Sequence, residues 1–142
     1  MTTTATYSTV AICGYLQLLE DFMADKSKAN NFLFVEVIQD PDILDKVQSK
    51  HYNLHKNMVA LATRVKSYIN DSNPDKEKPV FSSDELNAFV AVHNMKKRSR
   101  HEEKEVLISF EAGQSAIDAV EDLISEEVDL LRACMAWIRS TT

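Results

Sequence analysis

Apolar side chains recur at steps of three and four through most of the chain, the spacing that places them on one face of an α-helix. Over residues 8–25, Ile12, Tyr15, Leu16, Leu19, Phe22 and Met23 form one such stripe, which predicts an amphipathic helix. Asp40 followed by Pro41 signals a second start, because aspartate caps free N–H groups and proline presets φ for the first helical position. From there Leu44, Val47, His51, Leu54, Met58, Leu61, Val65 and Tyr68 make a coiled-coil-like seam. A helix over 41–69 would be about 45 Å long at 1.5 Å per residue and would act as the spine of a bundle.

Ser82 with Glu85 matches the capping box, so a third helix starts there, with Leu86, Phe89, Val90 and His93 on its inner stripe. All ten residues of 96–105 are polar, so the helix is expected either to end near Arg98 or to run on exposed. Beyond them Val106, Phe110, Gly113, Ile117, Val120, Ile124, Val128, Leu131, Met135 and Ile138 resume the helical spacing. The favoured reading is one continuous helix over 106–138, in which Gly113 permits close helix approach. The alternative is a hairpin that breaks at Gly113 and restarts on Ser115 or Asp118. Residues 70–82 lack periodicity and read as an exposed loop open to disorder and proteolysis. The run 32–38, rich in aromatic and β-branched residues, fits a short buried helix better than a lone strand, whose backbone groups would lack partners. The expectation is an all-α, single-domain (1–142) antiparallel four-helix bundle with an additional short helix, or buried strand-like segment, at 32–38.

Composition agrees. Two glycines and three prolines in 142 residues are too few for an all-β or nucleotide-binding α/β domain, and a hydrophobic fraction of 44% supports a real core. The N-terminus has no basic n-region, and no apolar run approaches the roughly 18 residues of a membrane span. Cys13 and Cys134 sit in apolar stretches, as free buried thiols do, which favours a reducing setting over a disulfide. These features predict a soluble intracellular protein, cytoplasmic or nuclear.

Several residues are candidates for chemistry. His51 and His55 stand four apart, a spacing that can grip a metal, yet no H-E-x-x-H sequence and no Glu-x-x-His pair accompanies them. The plainer reading has His51 interrupting the seam and His55 in solvent, and no cofactor is expected. Lys96, Lys97, Arg98 and Arg100 form the one basic cluster (96–101), able to meet phosphates, but Glu102, Glu103 and Glu105 follow and the net charge of −6 repels nucleic acid. Glu111, Asp118, Glu121, Asp122, Glu126, Glu127 and Asp129 make the last helix acidic outside, where they can dock a basic partner as well as serve the helix dipole. Phe32, Phe34, Phe81 and Trp137 add large apolar surface at element ends, either completing the core or marking a partner surface or homodimer contact.

No G-x-S-x-G, phosphate-cradling glycine loop or C-x-x-C is present. The sequence therefore reads as a non-enzymatic protein-interaction module, an adaptor, inhibitor or regulatory subunit and a homodimer, binding through apolar and acidic helix faces. A small nucleic-acid-associated regulator using 96–101 is the alternative, and a histidine metal bundle is the third reading.

Overall fold

A computed structural model describes residues 8–25 and 41–140, the latter with side chains from Ser49 onward. The segment 32–38, with Phe32 and Phe34, lies outside the described residues. Four helices account for most of what is described: α1 (Thr9–Ala24), α2 (Pro41–Asn70), α3 (Ser83–Ser109) and α4 (Gln114–Arg139). They pack as an antiparallel four-helix bundle, with no strand among the described residues.

Local chemistry fixes the helix starts. Ser8 caps α1 by accepting from the Ala11 N–H at 3.2 Å. Ser82 and Glu85 complete the expected capping box at α3: the Glu85 N–H donates to Ser82 Oγ at 3.2 Å and the Ser82 N–H donates to Glu85 Oε1 at 3.0 Å. Each helix then turns its apolar stripe inward, except that Val90, expected on the inner stripe of α3, is 37% exposed. Leu16, Leu19 and Met23 of α1 meet Met58, Leu61 and Val65 of α2, Phe89, Val92 and Met95 of α3, and Cys134 of α4, all essentially without solvent exposure. Burying a large aliphatic or aromatic side chain of this kind contributes about 1.5–3 kcal/mol, so these positions supply most of the drive to fold. The seam of α2 is buried or half-buried from His51 through Tyr68.

The favoured continuous helix over 106–138 gives way to the hairpin alternative, and of the two courses left open for the third helix it does not take the end near Arg98. Instead α3 runs through the polar stretch to Ser109, and the chain turns over residues 110–113. The polar stretch continues as helix because its inward positions make ion pairs across to α4. Arg100 Nε meets Glu127 Oε1 at 2.9 Å and Lys104 Nζ meets Glu121 Oε1 at 2.7 Å. Two polar rungs thus replace the apolar ones.

The turn is a Schellman motif. The Ala112 N–H donates to Leu107 O at 2.9 Å and the Glu111 N–H donates to Ile108 O at 3.0 Å. The left-handed residue this requires is Glu111, with φ 54°, and not the neighbouring glycine. Gly113 has an extended backbone (φ −61°, ψ 151°) and serves as the N-cap of α4, making no side-chain cap.

The loop between α2 and α3 is largely exposed, as expected, but it is tied down along its length. Asp71 and Asn73 accept from backbone N–H groups two residues on, at 2.9 and 3.0 Å. Lys76 Nζ donates to Tyr68 O and Asp71 O, both at 2.7 Å, and Arg64 donates to Val80 O at 2.7 Å. No helix among the described residues is long and apolar enough to cross a membrane.

Candidate functional site

Exposed apolar side chains gather at the tip of the α3–α4 hairpin, while Val10, Tyr52 and Val80 are exposed on α1, α2 and the loop that follows it. At the hairpin tip Phe110 is 81% exposed and Val106, one helical turn earlier on the same face, is 48% exposed, with Ile108 exposed beside them. The periodicity alone suggested that Val106 and Phe110 lie on a buried stripe; the break at 110–113 leaves them outside. Only recognition of the turn would have revealed this, and its left-handed position holds a glutamate where a glycine would have signalled it.

Next to the tip lies the acidic face. Glu111, Asp118, Asp122 and Asp129 are all exposed, and with Glu126 the last three follow one another at steps of three and four along the outside of α4. Asp118 accepts from Gln114 Nε2 at 2.9 Å. The hairpin therefore presents apolar side chains at one end and a row of carboxylates about 16 Å long, from Asp118 to Asp129 at 1.5 Å per residue, behind them.

Phe81 and Trp137 occupy different settings. Phe81 is half-buried under the Arg64 guanidinium, 4.6 Å from its centroid. Trp137 is half-buried, stands edge-on to Tyr68 at 5.6 Å, and has Lys78 Nζ 4.2 Å above its ring and bonded to its carbonyl oxygen. Burial shifts Lys78 below the usual lysine range. Both aromatics thus pin the 71–82 loop to the bundle.

The basic run is split by the helix that carries it. Lys96 lies over the Phe22 ring at 5.3 Å, and Arg100 turns inward to Glu127. Lys97, Arg98 and His101 line a groove between α2 and α3. The cluster is thereby divided between two sides of the bundle.

His51 and His55 are neighbours, with ring centroids 5.9 Å apart, but His51 is buried and its Nε2–H donates to the Met23 carbonyl at 3.0 Å, which commits one ring nitrogen to the end of α1. No group of three or more His, Cys, Asp or Glu side chains suited to a metal gathers among the described residues. Cys13 and Cys134 are free thiols, Cys134 pushed up to about 12 by burial and then by Cys13, which makes it a poor nucleophile.

Two buried polar pairs tie α3 to its neighbours, Tyr15–His93 to α1 and Arg100–Glu127 to α4. Burial, followed by the charge of Glu127, raises the Tyr15 phenol above its ordinary range, so it keeps its proton and donates to His93 Nδ1. Burial and then Lys97 hold His93 below the usual histidine range, so the ring is neutral with its proton on Nε2. Glu127, expected on the acidic outside of the last helix, is instead 6% exposed and spends one oxygen on Arg100, while among the described residues nothing hydrogen-bonds to Oε2. Burial opposes the charge on Arg100, but the hydrogen bond and charge of Glu127 win and raise it further. The sequence did not single out Tyr15, His93 or Glu127 as a group, because nothing in the spacing says which residues of separate helices share a level.

Comparison with protein-family models, with curated proteins and with solved structures finds no match to this chain.

Proposed function

We propose that the protein is a non-enzymatic interaction module, an adaptor, inhibitor or regulatory subunit, that engages a partner protein through the α3–α4 hairpin. The observation that carries this reading is the exposure of Phe110 and Val106 at the tip of a helical hairpin whose outer face is acidic. A large aromatic held out in water by a tight, hydrogen-bonded turn is ready to anchor in a partner's pocket, since aromatic anchors dominate binding energy. The carboxylates behind it favour a partner with an apolar pocket rimmed by Lys and Arg, and they steer its approach. The same tip offers a contact between two copies of this chain, which is the form the expected homodimer takes here.

The test uses three variants whose folds are checked by thermal melting: Phe110→Glu, Asp118→Lys with Asp122→Lys, and Thr63→Glu on the exposed side of α2. Proteins co-isolated from the source cells are quantified against the parent. The reading expects the same partner to be lost from the first two and kept by the third. Loss from Thr63→Glu alone, or equal retention by all three, contradicts it. Sedimentation velocity of the parent and Phe110→Glu reports the homodimer: a dimer that Phe110→Glu leaves intact does not use the tip.

A further inference from the structure

Two histidines tie α1 to the bundle, and they do so in opposite hydrogen-bond roles. His51 of α2 donates: its Nε2–H goes to the carbonyl of Met23, in the last turn of α1, at 3.0 Å. His93 of α3 accepts: its Nδ1 takes the hydroxyl proton of Tyr15, midway along α1. Both rings are buried. Protonation gives an imidazole a second donor and takes away its acceptor. A protonated His51 therefore still donates to Met23, with the neighbouring His55 ring, 5.9 Å away, opposing a second charge there. A protonated His93 can no longer accept from Tyr15.

The surroundings of His93 give its charged form little relief. Beside the ring is a small void, without room for a water molecule, lined by Tyr15 of α1, Lys96 and Lys97 of α3, and Ile124 and Glu127 of α4. Glu127 is its one carboxylate and is held by Arg100 at 2.9 Å, and among the described residues α2 brings no titratable side chain to it. Glu127 and Cys134 of α4 and Arg100 of α3 also act on the Tyr15 phenol. Beyond Lys96, Asp21 and Asp25 of α1 line a separate outer groove. Burial and then Lys97 accordingly oppose a proton on His93 while α1 is docked.

We infer that Tyr15–His93 is an acid-sensitive latch: when His93 takes up a proton, the N-terminal half of α1 is released from α3 while the C-terminal end of α1 stays hinged on His51. This device is separate from the hairpin tip and does not depend on what binds there. The sign follows from linkage. On opening, His93 recovers its ordinary value of 6.5, so the opened form takes up a proton that the latched form resists. The latch is therefore fully closed above pH 6.5 and weakens as the pH falls below it. Ile12, Leu16 and Leu19 still favour docking, so acid raises the population of the opened form without undocking every molecule. Between about pH 7.5 and about pH 5.5 that population should rise by up to about ten-fold.

Amide hydrogen exchange of the full chain, read by NMR at both ends of this pH range and corrected for the intrinsic pH dependence of exchange, follows α1 residue by residue. Protection of residues 12–16 should fall by up to about ten-fold in the parent, while residues 21–24 and the core amides of Leu61 and Val65 hold. His93→Gln keeps an acceptor for Tyr15 that does not titrate, so residues 12–16 should stay as protected at the lower pH as at the higher. Tyr15→Phe removes the donor: residues 12–16 should be less protected at the higher pH, and the shallower pH dependence should bring this variant toward the parent at the lower. NMR of the imidazole nitrogens reads the latch without any variant. The parent should carry the His93 proton on Nε2 and titrate below 6.5, and Tyr15→Phe should move that titration upward. Constant protection of residues 12–16 in the parent, an undiminished pH dependence in His93→Gln, or a His93 ring protonated on Nδ1 at the higher pH would overturn the latch. Loss of protection in residues 21–24 in step with 12–16 would overturn the hinge at His51. A His93 that takes up its proton with α1 still protected would mean that the Tyr15 hydroxyl turns to Glu127 instead of letting go.

Discussion

Replacing Arg100 by alanine should cost this protein far more than the loss of a typical ion pair. The Arg100 and Glu127 side chains are 15% and 8% exposed, so both charges have left most of their water. Arg100 Nε donates to Glu127 Oε1 at 2.9 Å, and among the described residues the second carboxylate oxygen has no hydrogen bond to fall back on. Alanine would leave a buried carboxylate without its cation, a loss of about 3–5 kcal/mol, against a total stability of about 5–15 kcal/mol for a domain of ordinary stability. With an m-value near 2 kcal/mol/M, the urea midpoint should fall by roughly 2 M. The double change Arg100→Met with Glu127→Leu removes both charges and the unsatisfied oxygen. It should lie within about 1 kcal/mol of the parent or above it. Urea titrations of the parent, Arg100→Met, Glu127→Leu and the double variant, followed by circular dichroism, give the coupling between the residues. A cost for Arg100→Ala below about 1 kcal/mol, the level of a solvent-exposed pair, would refute the reasoning and show that Glu127 is hydrated.

Other substitutions test neighbouring parts of the account. Glu111→Gly should stabilise the protein by about 0.5–1 kcal/mol, because the left-handed φ of 54° favours glycine; a lower melting temperature would contradict the Schellman turn. Ser82→Ala removes the acceptor of the capping box and should cost about 1 kcal/mol by denaturant titration, whereas no loss would mean that the box is idle. His93 is held below its ordinary value of 6.5 in the folded protein, so below that pH the unfolded chain takes up a proton that the folded one resists. Its contribution to stability is therefore complete above pH 6.5 and declines as the pH falls below it. His93→Gln should flatten this acid limb in melts from about pH 7.5 to about pH 5, and an unchanged slope would place the titration elsewhere. Phe110→Ala should change stability by no more than about 0.5 kcal/mol, as an exposed site does; a larger loss would mean that the ring is packed.

Much of the architecture was legible because it rests on local signals. The stripe of α1, the seam of α2 from His51 onward and the Ser82–Glu85 box each depend on residues within a few positions of one another, and each stands as the pattern predicts. The α3–α4 hairpin was harder to read. Its long polar stretch is held by Arg100–Glu127 and Lys104–Glu121, pairs that form only once the chain has turned back. The turn is equally inconspicuous, since a glutamate stands in the left-handed position and Gly113 is not strained. For the same reason the exposure of Phe110 was hidden in a stripe that looked continuous. Trp137 and Phe81 stood out as surplus apolar residues, but their partners Tyr68, Lys78 and Arg64 come from the end of α2 and the loop that follows it. Most of the acidic face of α4 was readable, because an outward stripe needs only its own helix; Glu127 is the exception, turned inward to Arg100, and Glu111 stands in the turn before α4.

The most direct test of the central claim, that the hairpin tip is the binding surface, is site-specific photo-crosslinking in the source cells with a benzophenone amino acid at position 110 and, separately, at position 63. The account predicts that position 110 captures a defined protein, with the crosslinked peptide mapping to an apolar pocket bordered by Lys and Arg, and that position 63 does not. Equal capture from both positions, or capture from position 63 alone, would contradict it.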